Sequence, residues 1–192
     1  MNEQSIVPVE SEDFDRAYSF PITAWGDFRI PSELKELVQK NNAHKALELG
    51  CGLGRFSRYL AKQGLAVTAV DFSPVAIAKA RKKAENGRSK PDFITANVTN
   101  LGVIKDSFDV SFDVGCFHCL HETARYKYAS EVCRLLKPGG IHLIWALDAA
   151  PGGIEMTPAV ISETFKAGFQ LQDSSASRRR IAKSHWYWLA RK

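Results

Sequence analysis

A glycine-rich loop, LELGCGLGRF at residues 47–56, is the segment that most strongly indicates chemistry. Gly50, Gly52 and Gly54 follow a short apolar run that predicts a strand. Glycine-rich loops after a strand commonly bind a nucleotide cofactor, because the backbone can approach the ligand closely. This loop reads G-x-G-x-G, however, and Arg55 stands where a dinucleotide fingerprint has its third glycine. It also lacks the Gly-Lys-Ser/Thr ending of a phosphate-binding P-loop.

Two acidic residues indicate which kind of cofactor the loop would accept. Glu48 stands two positions before the first glycine, where a carboxylate repels phosphates but attracts a cation. Asp71 ends a second strand-like segment, at the position where an acidic residue binds the hydroxyls of a ribose. Glu48 therefore favours a phosphate-free, cationic cofactor and Asp71 favours one with a ribose, whereas the spacing of the loop argues against a nicotinamide-dependent reductase.

A second group of reactive side chains lies in GCFHCLHE, at residues 115–122. Cys116, His118, Cys119 and His121 could ligate zinc or a soft metalloid. Because such closely spaced side chains do not all point to one place and usually need a separate partner pair, we expect no bound metal. His118 is the candidate general base, with His121 behind it, although a histidine that only lines a pocket fits the pattern equally well.

An alternation of strands and helices must position these loops. The patterns predict five strands, over residues 45–50, 66–71, 92–97, 108–114 and 141–147. They predict helices over 31–40, 55–63 and 122–136, and two more that begin at 74 and at 158. Residues 169–175 and 184–192 are predicted to be two strands that pair as a terminal hairpin. Such alternation predicts right-handed βαβ units. We therefore expect an α/β fold with a doubly wound, mostly parallel seven-stranded sheet and an antiparallel C-terminal hairpin.

Length and composition are those of one globular domain. The chain has 192 residues, of which 45% are hydrophobic and 24% charged. We expect residues 44–192 to form the cofactor-binding domain and residues 1–43 to form an N-terminal segment that can act as a lid. The net charge of +5 comes partly from the clusters 81–83 and 178–180, so a nucleic-acid partner is disfavoured.

The chain shows no run that is apolar enough to cross a bilayer. Its first residues are acidic and polar, unlike a secretory signal. Four cysteines without an export signal are typical of reduced thiols. These features predict a cytoplasmic protein without a membrane partner. They leave open whether it is a monomer or a homodimer.

Five segments, in this order, resemble the class I S-adenosylmethionine-dependent methyltransferases, whose first motif is acidic-x-G-x-G-x-G: ALELGCGLGRFSRYLA, VTAVDFSPVAIAKAR, DFITANVTNL, FDVSFDVGCFHCLHE and LLKPGG. The resemblance covers residues 22–192 and implies a Rossmann-like fold and S-adenosylmethionine as cofactor. A narrower resemblance links CGLGRFSRYLAKQG, AWGDFRIPSEL and the closing WYWLARK to the small thiopurine and tellurite-resistance type methyltransferases, which act on small, often soft acceptors.

The resemblance implies a role for each matching position. The loop glycines let the backbone pass the methionine part of the cofactor, Glu48 holds that part or the loop, and Asp71 binds the ribose. Asn97, where the family usually has Asp, and Val98 contact the adenine. The implied cofactor-binding residues are Trp25, Glu48, Gly50, Cys51, Gly52, Gly54, Arg55, Asp71, Phe72, Ser73, Asn97, Val98, Asp113 and Gly115.

The implied reaction is methyl transfer to a small-molecule acceptor, with a thiol or another soft nucleophile as the favoured acceptor. A general base is needed only if the acceptor keeps its proton at neutral pH. The sequence DVGC (113–116) replaces the Asp/Asn-Pro-Pro-aromatic motif of enzymes that methylate base amino groups, which disfavours that class. An RNA or protein methyltransferase and a non-catalytic S-adenosylmethionine-binding protein remain alternatives.

Overall fold

A computed structural model describes residues 11–20, 29–149, 155–177 and 182–192. Trp25 lies outside the described residues. Within these ranges the helices are α1 (Ser11–Ser19), α2 (Ser32–Lys40), α3 (Arg55–Lys62), α4 (Pro74–Ala84), α5 (Glu122–Leu135) and α6 (Pro158–Phe165), and a 3-10 turn spans Phe117–Cys119. The strands are β1 (Lys45–Leu49), β2 (Ala66–Asp71), β3 (Asp92–Thr95), β4 (Phe108–Val114), β5 (Leu136–Leu147), β6 (Phe169–Ala176) and β7 (Ser184–Arg191).

The seven strands form one sheet in the order β3-β2-β1-β4-β5-β7-β6. Strands β1 to β5 pair in parallel, whereas β7 runs antiparallel to both β5 and β6. This arrangement confirms the predicted fold class. The strand order reverses between β1 and β4, and a crevice at the carboxyl ends of strands opens at such a point.

Local sequence explains where helices begin. The Ser73 hydroxyl accepts a hydrogen bond from Ala76 N–H (3.0 Å) and precedes Pro74, the first residue of α4. The Thr157 hydroxyl accepts one from Val160 N–H (3.3 Å) at the start of α6. Helix α3 has no such cap, since it follows Gly54, whose φ is +65°.

Two local predictions were wrong in detail. Strand β5 begins at Leu136, because the predicted stop at 137–140 is a bulge: Phe108 pairs with Leu136, and the next pair joins Val110 to Ile141. Gly139 has a φ of +76° there. On α3 the helical periodicity predicts residues 56, 59 and 60 on the inner face, whereas the structure buries 57, 60 and 61 and leaves 56 and 59 half-buried.

Apolar side chains fill both faces of the sheet. On one face, α5 and α6 pack onto the sheet through Tyr128, Val132, Ile161 and Phe165. On the other face, α2 and α3 cover a cluster that includes Trp145. The sheet is therefore fixed from both sides, and the ends of its strands are rigid supports for a site.

A chain of buried polar side chains runs through the first of these two cores. The Ser111 hydroxyl lies 2.8 Å from Nδ1 of His142, and Nε2 of His142 lies 3.1 Å from the Tyr128 hydroxyl. Tyr128 in turn donates to a carboxylate oxygen of Asp113 (3.0 Å). All four side chains are buried, so their hydrogen bonds replace the water that each group would otherwise need.

The contribution of His142 to the stability of the fold should be lost on acidification. Burial lowers the pKa of His142 to about 3, so the fold requires a neutral ring, whereas the unfolded chain binds a proton below about pH 6.5. The contribution of His142 is therefore complete above about pH 6.5 and is lost as the pH falls toward 3. Between about pH 7.5 and 5 we expect a loss of about 2 kcal/mol in the free energy of unfolding from this residue.

Urea unfolding of the wild type and of His142→Gln at these two pH values measures the effect. On acidification the change in the free energy of unfolding should be less unfavourable in the variant than in the wild type, by about 2 kcal/mol. The buried carboxyl groups of Asp113 and Glu48, whose pKa values burial raises to about 6 and about 8, contribute with the opposite sign in both proteins, so their contributions cancel in the comparison. An equal loss in both proteins would contradict the assignment.

Candidate functional site at the carboxyl edge of the sheet

The glycine-rich loop between β1 and α3 is closely packed at each of its glycines. All three have positive φ, at +67° for Gly50, +51° for Gly52 and +65° for Gly54. A Cβ at Gly50 would lie 2.5 Å from Cβ of Cys116, and one at Gly54 would lie 2.3 Å from the Phe93 ring. The loop thus needs glycine for both conformation and space, and its backbone lies directly against the loop that follows β4.

Asp71, at the end of β2, ties two loops together. One carboxylate oxygen accepts a hydrogen bond from Gly52 N–H (2.8 Å) and the other accepts one from Ser73 N–H (2.9 Å). The side chain is buried, which raises its pKa. Since a carboxylate offers about four acceptor positions, Asp71 keeps capacity to accept a hydrogen bond from a ligand hydroxyl.

Glu48, near the end of β1, supports helix α3. One of its oxygens accepts hydrogen bonds from the backbone N–H of Ser57 (2.9 Å) and from the Ser57 hydroxyl. Burial raises the pKa of Glu48 to about 8, with a further contribution from the negative charges of Asp71 and Asp113. The structure thus shows Glu48 holding the first turn of α3, while its predicted contact with the cofactor stays a prediction.

Cofactor binding should release protons. A cation bound near Glu48, Asp71 and Asp113 favours their charged forms, so each raised pKa falls when the ligand binds. Near pH 7 the largest release should come from Glu48, whose pKa of about 8 keeps it mostly protonated beforehand. Calorimetry in two buffers of different ionisation enthalpy measures the number of protons released.

S-adenosylhomocysteine, which lacks the sulfonium charge, is the matched ligand for this measurement. We expect it to release fewer protons than S-adenosylmethionine, and Glu48→Gln should reduce the release for both ligands. Equal release by the two ligands would show that the sulfonium does not act on these carboxyl groups.

Asp113, at the end of β4, shapes the loop that follows it. Its two oxygens accept hydrogen bonds from the backbone N–H groups of Gly115 (3.0 Å), Cys116 (3.0 Å) and Phe117 (2.7 Å), as well as from Tyr128. The carboxylate is fully buried. Asp113 therefore fixes the backbone of the 3-10 turn, and any contribution that it makes to cofactor binding passes through this loop.

Helix α1 lies over the loop that follows β2. The rings of Phe14 and Phe72 meet edge to face, with centroids 5.2 Å apart. The Ser73 hydroxyl donates to Asp15, and Nζ of Lys79 donates to the carbonyl oxygen of Tyr18. The part of the N-terminal segment that the structure describes thus covers the edge where the ribose and adenine are predicted to bind.

The remaining predicted binding residues lie along the same edge. Val98 is buried, whereas Asn97 is exposed. The side-chain oxygen of Asn97 accepts hydrogen bonds from the Thr99 N–H (2.9 Å) and from the Thr99 hydroxyl (2.8 Å). A carbonyl oxygen has a second lone pair, so the adenine contact stays a prediction. Cys51 is buried and its N–H donates to Val70 O, while Arg55 is the first residue of α3.

His118 lies in the 3-10 turn and is only 5% exposed. Its Nδ1 accepts a long hydrogen bond from Leu147 N–H (3.5 Å), and its ring stands edge-on to Trp145 with centroids 6.0 Å apart. An accepting Nδ1 places the proton on Nε2, which makes the ring a donor on that side. This geometry fits a residue that positions a ligand better than it fits a general base.

The predicted cysteine and histidine cluster is not gathered around one point. His121 is exposed at the start of α5, and Sγ of Cys119 donates toward Gly115 O (3.5 Å). Within the described ranges no group of three or more His, Cys, Asp or Glu side chains is placed to hold a metal ion. The absence of a metal stays a prediction.

Two residues of this edge were missed in the sequence. Asp148 directly follows β5 and His185 is the second residue of β7, and their side chains meet with Nδ1 2.6 Å from a carboxylate oxygen. They line a cavity of about 530 Å³ that lies between the end of β5, the start of β7 and the start of α6. A prediction that β5 and β7 pair antiparallel would have indicated this contact. Such a pairing places the end of β5 beside the start of β7.

The residues of the crevice fit S-adenosylmethionine. Three buried carboxyl groups, on Glu48, Asp71 and Asp113, stand at the ends of adjacent strands, which favours a cationic ligand over a phosphate. The loop glycines let the backbone of this loop pack directly against its neighbours at the end of the sheet. Across the described part of the chain, no helix is long and apolar enough to span a membrane.

Comparisons with known proteins agree with this chemistry. The family model described as "Methyltransferase domain" matches residues 46–140. A methyltransferase of Schizosaccharomyces pombe is 33% identical over 100 residues, which are 52% of this chain and 69% of that protein. A putative methyltransferase of a Geobacillus species is 33% identical over 129 residues, covering 64% of this chain and 49% of that protein.

Among solved structures, the N-methyltransferase NodS from Bradyrhizobium japonicum, in complex with S-adenosylhomocysteine, superposes with a TM-score of 0.80. The match covers 94% of this chain and 97% of that one at 17% identity. At this identity the likeness is one of fold.

Proposed function

Because this chain belongs to the S-adenosylmethionine-dependent methyltransferases, we propose that it methylates a small molecule that binds at the carboxyl ends of β4 and β5. The cofactor supplies a methyl group already activated by a positively charged sulfur. The protein has to bind the two reactants, align them and exclude water from them.

The observation that carries the proposal is the cavity beside β5. Its volume of about 530 Å³ lies within the range of roughly 300–1,000 Å³ that is typical of small-molecule sites. Much of its wall is apolar, formed by Leu147, Ala149, Met156 and Pro158. Strands β4 and β5 are neighbours, so the cavity lies at the end of the strand next to the one that carries Asp113.

We assign the cofactor to the crevice on the other side of β4. Asp71 would bind the ribose through the acceptor capacity that its carboxylate keeps, with Phe72 beside the adenine. Glu48 and the glycine-rich loop would hold the methionine part. Helix α1, which contacts Phe72 and Ser73, would act as the lid.

A labelled-methyl assay tests the proposal. Purified protein with S-[methyl-³H]adenosylmethionine is given small thiols, phenols and amines in one series, and total RNA or denatured protein in another. We expect label in the small-molecule series alone. Label in RNA or protein alone would replace the proposal with the macromolecular alternative, and turnover of any acceptor excludes a protein that only binds the cofactor.

The acceptor atom and the location of the protein are further predictions. The narrower resemblance to thiopurine and tellurite-resistance type enzymes favours a soft acceptor such as a thiol. All four cysteines are free thiols, which is typical of the reducing cytoplasm, and a cytoplasmic location stays our prediction.

A further inference from the structure

We propose that His185, oriented by Asp148, is the general base of the reaction and that the acceptor is a small hydroxyl compound of the phenol class. The inference rests on the proposed function, since it assigns a catalytic residue and a substrate class to the same cavity. It differs from the soft-acceptor prediction, because a thiol that ionises near neutral pH needs no base.

The geometry of the pair leaves one ring nitrogen available to a substrate. Nδ1 of His185 lies 2.6 Å from a carboxylate oxygen of Asp148, and since a carboxylate only accepts, Nδ1 carries the proton. Nε2 is then the accepting nitrogen, and the described residues offer it no hydrogen-bond donor. The two side chains are 33% and 29% exposed, so a ligand in the cavity can reach the ring.

Backbone hydrogen bonds hold both residues in place. Asp148 N–H donates to Lys183 O (3.0 Å), and Met156 N–H donates to Asp148 O (2.7 Å). His185 pairs with Ala146 on β5 and with Ala176 on β6. A base on an inner strand, oriented by a carboxylate just past the end of the neighbouring strand, is an arrangement that suits proton transfer.

The cavity wall selects the kind of acceptor. Besides its apolar side chains, the cavity is lined by Glu155 and Lys183, and the hydroxyl of Tyr187 donates to Met156 O beneath it. Because much of the wall is apolar and His185 stands in it, an apolar body that carries one hydroxyl group, such as an aromatic alcohol, suits the cavity. A phenol hydroxyl keeps its proton at neutral pH, so it requires the base that the cavity provides.

The proposed step balances. A lone pair of the acceptor oxygen forms the new O–C bond while the C–S bond of the sulfonium breaks, and the electron pair of that bond stays on sulfur as a neutral thioether. The hydroxyl proton moves to Nε2 of His185, and the Asp148 carboxylate stabilises the imidazolium. Solvent removes the proton after the products leave.

His118 is the less suitable base of the two. Its Nδ1 already accepts from Leu147 N–H, and its ring is 5% exposed, whereas His185 stands in the cavity wall. His118 therefore remains a positioning residue of the loop after β4.

Two phenols that differ in acidity separate a base from a structural residue. We compare phenol, which is protonated at about pH 7.5, with 4-nitrophenol, which is largely ionised there, and include 4-methylthiophenol as the thiol. His185→Gln should lower kcat/KM for phenol at least 100-fold, and Asp148→Asn should lower it about 10-fold. The rate with 4-nitrophenol should change less than 5-fold in either variant, because an ionised acceptor needs no base.

His44→Gln is the matched control, since His44 is exposed and precedes β1 at the opposite edge of the sheet. It should leave all three rates unchanged. Thermal unfolding and S-adenosylmethionine affinity, measured on each variant, verify that the fold and the cofactor site are intact.

Each result decides between the hypotheses. Equal losses with both phenols would show a structural role and overturn the inference. Methylation of the thiol but of neither phenol would overturn the inference and leave the small-molecule proposal standing. Methylation of RNA or protein alone would overturn both.

Discussion

Gly54→Ala should lower the free energy of unfolding by about 2–4 kcal/mol, whereas Gly52→Ala should lower it by only about 1 kcal/mol. Both residues have positive φ, which strains any residue with a side chain. A Cβ at Gly54 would also lie 2.3 Å and 2.5 Å from two ring atoms of the buried Phe93 and 3.1 Å from Cβ of Ala80. At Gly52 the nearest atom is the Tyr18 hydroxyl at 2.8 Å, the far end of a side chain, and the nearest ring atoms lie at 3.4 Å.

Urea unfolding of the wild type and the two variants measures this difference. A loss of this size is large against a total stability of roughly 5–15 kcal/mol, so Gly54→Ala should also unfold at a markedly lower temperature. Phe93→Leu in the Gly54→Ala background should recover part of the loss, because a leucine leaves more room than the ring. Equal destabilisation by the two glycine substitutions would contradict the role given to Phe93.

Asp71→Ala should weaken the binding of S-adenosylmethionine by about 1.5–3 kcal/mol, or roughly 10- to 150-fold in Kd. The substitution removes the proposed ribose contacts and the two hydrogen bonds to Gly52 N–H and Ser73 N–H, which hold the loops on either side of the ligand. Asp71→Asn keeps an accepting oxygen but loses the charge, so we expect an intermediate affinity.

Isothermal calorimetry gives the affinities. Asp106→Ala is the control, because Asp106 is an exposed aspartate whose salt bridge to Lys45 lies away from the crevice, and its affinity should equal that of the wild type. Unchanged affinity in a folded Asp71→Ala protein would rule out the assignment of Asp71 to the ribose.

The sequence alone was sufficient to predict the class of fold and the order of most strands and helices along the chain. Period-two apolar runs ending in glycine or Asp71, and helices opened by Ser73 and Thr157, are local signals that report local structure. The bulge at 137–140 was not predictable in this way, because Pro138 and two glycines indicate a stop, whereas pairing with β4 holds them within a strand. Strand pairing is a non-local interaction that a sequence window does not contain.

The cofactor site was largely predictable and the acceptor site was not. Glu48, the three glycines and Asp71 lie within 24 consecutive residues of one βαβ unit, so their spacing alone indicated the type of cofactor. Asp148 and His185 are 37 positions apart, and each is unremarkable among its sequence neighbours. Only the antiparallel pairing of β5 with β7 brings them to one cavity, because tertiary structure joins residues that sequence spacing keeps apart.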